Sequence, residues 1–357
     1  MAIKRMFDAV EFHEGEPMRV ITSGVPSIPG QTVYEKMKWL EKNDDQIRKL
    51  MLREPRGIPA TCANLLVNTN REDCKCGYII MEQNEYPLMS GGNTIAVATA
   101  LLETGIVPMT DEYMEFNLEA PAGVIGIKAF NDLAKKKCVK VEFENVPAFV
   151  AYLDKEIDVP HVGKVKVDIA WGGMWFCVVD TTQFKQYGPN GLELLPENGK
   201  EVAKLSSLIV TAAQQQCPVE HPDYPGVGIS VTEMHHAPIN EGATFRSGNW
   251  YATGPVDFDD PKTWTGALDR GVCGTGSCAL MAVEHAKGHL KVGETIVNEG
   301  MLGIRFECHI SEEIDDFYGH KAVRPCVRGG GWIYGYSKWV LDEDDPFTEG
   351  FTMGDIW

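Results

Sequence analysis

The chain has 357 residues, 44% hydrophobic and 24% charged, a globular balance with length enough for two domains that each bury a core. Fifty-one Asp and Glu against 33 Lys and Arg leave a formal net charge of −18, a field that disfavours nucleic acid and anionic membrane as partners. No apolar run approaches the roughly eighteen residues of a spanning helix, the first ten residues lack a signal-type apolar core, and ten cysteines are spread thinly, so a cytoplasmic, reduced setting is expected.

In chain order, helical periodicity runs over 33–53 and 94–103. Alternating runs at Val139–Phe143 and Val165–Ile169 read as strands. Turn residues cluster at Tyr187–Gly191 and Pro196–Gly199, and helical periodicity returns over 200–215 and 279–287. Strands come in runs rather than alternating with helices, which predicts an α+β fold. Cys62, Cys74 and Cys76 lack a chelating spacing and read as free thiols, so no metal is expected. His285 and His289 read as partners of a helix C-terminus.

One pattern occurs twice. Ser90-Gly91-Gly92-Asn93-Thr94-Ile95-Ala96 aligns with Cys273-Gly274-Thr275-Gly276-Ser277-Cys278-Ala279. Each has a small nucleophilic side chain, a Gly-rich turn, a hydroxyl residue and an apolar stretch, and each stretch ends at a glycine, Gly105 or Gly288. Two similar domains follow, each with one buried, glycine-led helix. The expected division is 1–190 with the Ser90 motif, 191–340 with the Cys273 motif, and a tail 341–357 that returns to the first domain.

A helix N-terminus offers free N–H groups and the positive end of the macrodipole, and glycines let a ligand approach. Two such termini facing one another would make a small dry site for one carboxylate. The same field is expected to lower the pKa of Cys273, making it a proton acceptor near neutral pH. That arrangement fits removal of an α-proton without a cofactor. The dinucleotide and P-loop glycine patterns are absent.

The residues carry a resemblance. Asp269-Arg270-Gly271-Val272-Cys273-Gly274-Thr275-Gly276 resembles the DRSPCGTG signature of the proline racemase family, and Met89-Ser90-Gly91-Gly92-Asn93-Thr94-Ile95-Ala96 is similar to its first motif, MCGHGTIA. His13–Val20, Gly24–Gly30, Glu54–Gly57, Ala120–Gly123 and Asp168–Gly173 follow in the family's order. The resemblance implies a diaminopimelate-epimerase-like fold, with two pseudo-symmetric domains that each wrap a sheet around a central helix, and a site between them. It implies a cytoplasmic, cofactor-independent enzyme, a possible homodimer, acting on a proline-type imino acid. By position, Ser90 and Cys273 stand as the acid/base pair, Gly91, Gly92, Gly274 and Thr275 hold the carboxylate, and Asp269 faces the ring nitrogen.

Three departures bear on the chemistry. Ser90 replaces a cysteine, and a hydroxyl is a far weaker proton acceptor than a thiol. An elimination needs one strong base only, so the expectation is trans-3-hydroxy-L-proline dehydratase, with 4-hydroxyproline 2-epimerase or proline racemase as the alternative and a non-catalytic binder as the remote one. Gly92 replaces the first-motif histidine. The segment 232–266 departs from the family and reads as holding an insertion from Arg246 to Trp264. The pocket histidine falls near Val231 by order, with His235 and His236 as candidate substitutes.

Overall fold

The computed structural model describes residues 3–354. It divides into two compact units, Met1–Glu144 with Arg328–Trp357, and Asn145–Val327. The expected boundary near residue 190 falls inside the second unit. The turn cluster there is a connection of short 3-10 turns leading into a helix, and the strand before it, Trp175–Asp180, pairs with the strand after that helix, Ile229–His236, in the second unit. The return of the chain end to the first unit begins at 328, earlier than expected.

In the first unit, β1 (Ile3–His13) and β2 (Pro17–Ser23) form an antiparallel hairpin. Helices α1 (Val33–Asn43) and α2 (Gln46–Leu52) cross over to β3 (Cys62–Val67), parallel to β2. Strand β4 (Cys74–Met81) returns antiparallel, and α3 (Gly91–Glu103) crosses to β5 (Tyr113–Ala120), parallel to β4. Strands β6 (Gly123–Asp132) and β7 (Lys137–Glu144) continue antiparallel. The periodicity over 33–53 breaks because Asn43, Asp44 and Asp45 hold helix well only at its ends. Asp44 leaves helical geometry, and Arg48 grips the Asp45 carboxylate with two nitrogens at 2.7 and 2.8 Å as the chain restarts.

The second unit repeats that order. Strands β8 (Ala148–Val159), β9 (Gly163–Trp171) and β10 (Trp175–Asp180) are antiparallel. Helix α4 (Gly199–Gln216) crosses to β11 (Ile229–His236), parallel to β10. Strand β12 (Phe245–Tyr251) returns antiparallel, joined by the short β13 (Ala267–Leu268). Helix α5 (Gly274–Ala286) then crosses to β14 (Thr295–Glu299), parallel to β12. Strands β15 (Arg305–Phe317) and β16 (His320–Gly329) follow; β14 pairs with β15, and β16 closes on β8. The last strand, β17 (Trp332–Asp342), pairs with β1 in the first unit as β8 pairs with β9 in the second. Residues 246–251, expected within an insertion, are therefore sheet, and the surface excursion is confined to 252–266.

Helices α3 and α5 are both 13 residues long, and all but the last residue or two of each are buried. A helix apolar on every side has no face to give to water, so each sheet wraps around its helix. Both helices leave through a left-handed glycine, Gly105 at φ +77° and Gly288 at φ +78°. The α3 helix packs on β1, β2, β3 and β7, and α5 on β8 to β11 and β15. Among the described residues no helix is long and apolar enough to cross a membrane, and all ten cysteines are free.

Close approach of sheet to helix makes one glycine obligatory. A methyl group at Gly172, after β9, would run into the Thr275 carbonyl and lie 2.7 Å from the Ala279 amide of α5. Gly172→Ala is therefore expected to destabilise the chain by about 1–3 kcal/mol, read as a lower urea midpoint with an unchanged slope.

Candidate active site

In the first unit the candidate residues lie at the N-terminus of α3. Ser90 is its N-cap in extended geometry, φ −147° and ψ 127°, but its hydroxyl makes no capping bond. Instead its Oγ accepts from the Asn93 side-chain amide at 2.9 Å. Asn93 is held in turn by Asn64, whose amide donates to its oxygen at 2.6 Å. The hydroxyl proton of Ser90 is thereby left to point elsewhere. The first backbone bond of the helix runs from the Thr94 N–H to the Ser90 carbonyl at 3.0 Å, so the N–H groups of Gly91 and Gly92 precede the ladder.

Gly92, where the family has a histidine, is filled from the side. A Cβ there would lie 2.7 Å from Met18 Cε and 2.8 Å from Glu14 Oε1. The Glu14 carboxyl group, 2% exposed, thus occupies the space beside this turn. Sequence reasoning missed Glu14; the signal was a side chain removed at 92 with nothing identified to replace it.

In the second unit the candidate residues lie at the N-terminus of α5. Cys273 caps the helix through sulfur, accepting from the Gly276 N–H at 3.3 Å, and its Sγ lies 3.5 Å from Thr275 Oγ1. The first ladder bond runs from the Ser277 N–H to the Cys273 carbonyl at 2.9 Å, so the N–H groups of Gly274 and Thr275 precede it. The Asp269 carboxylate lies near enough to act electrostatically on the Cys273 thiol. Its amide N–H donates to the Asn249 carbonyl at 3.0 Å, which ties it to β12.

The electrostatics reverse one expectation. The thiol of Cys273 is pushed well above its ordinary value, first by burial, then by the Asp269 and Glu233 carboxyl groups. The Thr275 hydroxyl and Gly276 N–H oppose this and lose. A helix end contributes about half a charge, less than desolvation and two nearby acids together. Asp269 is itself raised to about 6 by burial.

Glu233 is the second residue that sequence reasoning missed. It is fully buried on β11, accepts from the Asn249 amide, and is pushed up to about 8, chiefly by burial. Its signal was legible: Ile229, Val231 and Glu233 share one face of a strand, and an acid on an apolar face needs a reason. The two candidate substitute histidines do not stand in for the family's pocket histidine. His236 accepts on Nε2 from the Leu194 N–H at 3.0 Å and donates from Nδ1 to the Ala237 carbonyl at 2.5 Å, a neutral ring spent on backbone. His235 packs on Phe245 and feels Asp180 and Lys287, beyond the C-terminal end of α5. Val231 belongs to the apolar cluster on which Cys273 packs, so that position is a hydrophobic wall. His285 and His289 pair with Glu313 and Glu284.

Comparison with known proteins follows this geometry. The sequence profile of proline racemase matches residues 9–352. The chain belongs to the proline racemase family. It is 32% identical over 360 residues to the 4-hydroxyproline 2-epimerase of Rhizobium etli, spanning 100% of this chain and 98% of the relative. It is 33% identical over 357 residues to the proline racemase of Clostridioides difficile, covering 99% and 100%. Among solved structures it is similar to a hydroxyproline epimerase from Agrobacterium vitis with bound trans-4-hydroxy-L-proline, at TM-score 0.89 and 31% identity, covering 100% and 97%. A probable proline racemase from Agrobacterium radiobacter K84 with bound carbonate gives TM-score 0.87 and 32% identity, covering 98% of each chain. At 10% identity, a phenazine-biosynthesis protein of Bacillus anthracis (TM-score 0.56) and an epimerase-like protein of Pseudomonas aeruginosa (0.52) share the fold alone. The fold is the diaminopimelate-epimerase-like α+β fold, and the chain is an enzyme of this isomerase family. These relatives carry the names of the epimerase and the racemase, whereas the leading expectation from sequence was the dehydratase.

The thiol arrangement predicts slow alkylation. Iodoacetamide should modify Cys273 of the ligand-free enzyme more slowly than a free thiol at neutral pH, as followed by peptide mass spectrometry. Asp269→Asn removes a charge that raises the thiol, so its rate should increase roughly threefold to tenfold. An unchanged rate would show that Asp269 has no hold on the sulfur.

Proposed function

We propose that the enzyme inverts the α-carbon of 4-hydroxyproline by cofactor-independent proton exchange. The observation that carries this reading is the matched pair of buried, glycine-led helices capped by Ser90 and Cys273, in a chain that resembles a hydroxyproline epimerase over its whole length. The N–H groups of Gly91, Gly92, Gly274 and Thr275 receive the substrate carboxylate, and Asp269 receives the cationic ring nitrogen. That cation offsets the carboxylate charge that keeps the Cys273 thiol neutral, so the thiolate forms when the ligand is bound. Cys273 then removes the α-proton from one side. The Ser90 hydroxyl delivers a proton to the other and recovers one from solvent, with the Asn93 amide steadying the charge left on oxygen. In the reverse direction the two groups exchange roles.

A second reading rests on Ser90. Its oxygen is occupied as an acceptor and its proton is free to be given, which suits protonation of a departing hydroxide more than removal of an α-proton. Under that reading Cys273 takes the α-proton of trans-3-hydroxy-L-proline, the C3–O bond breaks, and water and Δ1-pyrroline-2-carboxylate are released.

Polarimetry and mass spectrometry in D₂O separate the two. Inversion of 4-hydroxyproline with one deuterium entering at Cα is the expected result. Cys273→Ala should lower the rate by roughly 10²–10⁴-fold. A cyclic imine from trans-3-hydroxy-L-proline, captured with o-aminobenzaldehyde and without inversion of the 4-hydroxy substrate, would establish the elimination instead. Undiminished turnover in Cys273→Ala would defeat both schemes.

A further inference from the structure

Beneath the first turn of α5 lies a polar network that none of the roles above requires. Glu233 stands at its centre, with no measurable exposure. Its Oε2 accepts from Asn249 Nδ2, and its Oε1 lies 3.5 Å from Asn298 Nδ2. Asn249 Nδ2 also donates to the Thr232 carbonyl at 3.1 Å, while the Asn249 backbone carbonyl receives the Asp269 N–H. Asn298 Nδ2 donates to Ser277 Oγ at 2.9 Å, and Ser277 Oγ donates to the Cys273 carbonyl at 2.7 Å. The carboxyl group thus reaches the loop that carries Asp269 through one asparagine and the cap of α5 through the other. Contact with the helix is direct as well, since a Cβ at Gly276 would collide with Glu233 Oε2 and lie 2.6 Å from Asn249 Nδ2.

We propose that Glu233 is a positioning residue that locks the Asp269 loop to the Cys273 cap and, through its charge state, sets the field at the Cys273 sulfur. The inference rests on Cys273 as the proton-transferring thiol, and its network is independent of which imino acid is turned over. The groups that face Glu233 leave it no cation: Asp269, Cys273, Cys278 and Cys308 are the titratable partners felt across this interior. Burial therefore keeps it protonated near neutral pH, with its ionisation displaced to about 8. In that state the first turn of α5 carries no added negative charge. Above that pH a carboxylate appears behind the thiol and opposes formation of a second anion. The same asymmetry explains why an acid can stand at the back of a site built for a carboxylate: neutral, it does not compete for the helix end.

The test is the pH profile of Cys273 alkylation by iodoacetamide, followed by peptide mass spectrometry without any substrate. In Glu233→Gln, which keeps the side chain's shape but cannot ionise, the rate should match wild type below about pH 7. It should exceed wild type roughly threefold to tenfold near pH 9, displacing the profile toward lower pH. Superimposable profiles would overturn the charge role, and a uniform change at every pH would reduce Glu233 to a packing residue. Should Glu233→Gln fail to fold, wild type alone decides. Its infrared spectrum should lose a protonated-carboxyl band between about pH 7 and pH 9, a band that Asp269, already ionised, does not supply. No such loss means no buried acid titrates there, and the proposal fails. Loss of turnover with an intact alkylation shift would count against the proposed substrate and leave this assignment standing.

Discussion

The structure depends on two helices that are buried on every side. An α-helix satisfies its backbone internally except at its first and last turns, and the opening N–H groups have no partner within the chain's own ladder. At a surface, water would take them. In α3 and α5 these turns consist of buried residues, Gly91 to Asn93 and Gly274 to Gly276, so the demand for an acceptor is carried into the interior. The sheet of each unit wraps one such helix, and the parallel crossovers exist to place it: antiparallel strands can be joined by a tight turn, whereas β4 to β5 and β12 to β14 require a long connection. Glycine at the helix start then follows from crowding. Met18 and Glu14 fill the side of Gly92, and Glu233 and Asn249 fill the side of Gly276.

Much of this was legible in the chain. The repeated motif located the two helices and their left-handed glycine exits, but the helices begin at Gly91 and Gly274, three and five residues before the apolar periodicity that marked them. The α+β class followed from strands that come in runs. The division into units was not legible, since the turn residues at 187–199 mark a loop and nothing local marks a domain edge within sheet. The edge at 144–145 falls between β7 and β8, where β7 pairs back with β6 and β8 pairs forward with β9. The helix break at Asp44 was missed for the opposite reason, a local signal overridden by a convincing apolar period. Among site residues, those inside the two motifs could be listed. Glu14 and Glu233 were missed because each reaches its motif from another strand or turn, although an acid on the apolar face of β11 left a signal.

The two caps are alike in backbone and unlike in chemistry. Cys273 turns its sulfur inward to accept the Gly276 N–H, while Ser90 turns its oxygen away from the helix to accept from Asn93. A sulfur that accepts from a backbone donor gains stabilisation when it becomes a thiolate. An oxygen that accepts from a side-chain amide is steadied in the same sense but begins from a far weaker acid. Under the proposed function, serine at position 90 would make the pair directional, with the sulfur able to release its proton once a ligand cation is bound and the hydroxyl better suited to giving one.

That direction has an electrostatic consequence in the second unit. The Cys273 thiol is surrounded by acids rather than by bases, with Asp269 close to ionised at neutral pH and Glu233 neutral behind the helix. A cysteine protease activates its thiol with a permanent cationic partner; here no such partner stands beside the sulfur among the described residues. The missing charge has to arrive with the ligand, and a proline-type imino acid carries it on the ring nitrogen. Under the proposed function its carboxylate would satisfy the orphaned N–H groups in the same event. Binding and activation are then one step, and a ligand with the carboxylate but no cation would fill the anion site without preparing the base. An enzyme organised this way would be quiet toward electrophiles when empty, and under the proposed function the chain-wide charge of −18 would do no harm, because both recognition elements would be short-ranged and buried.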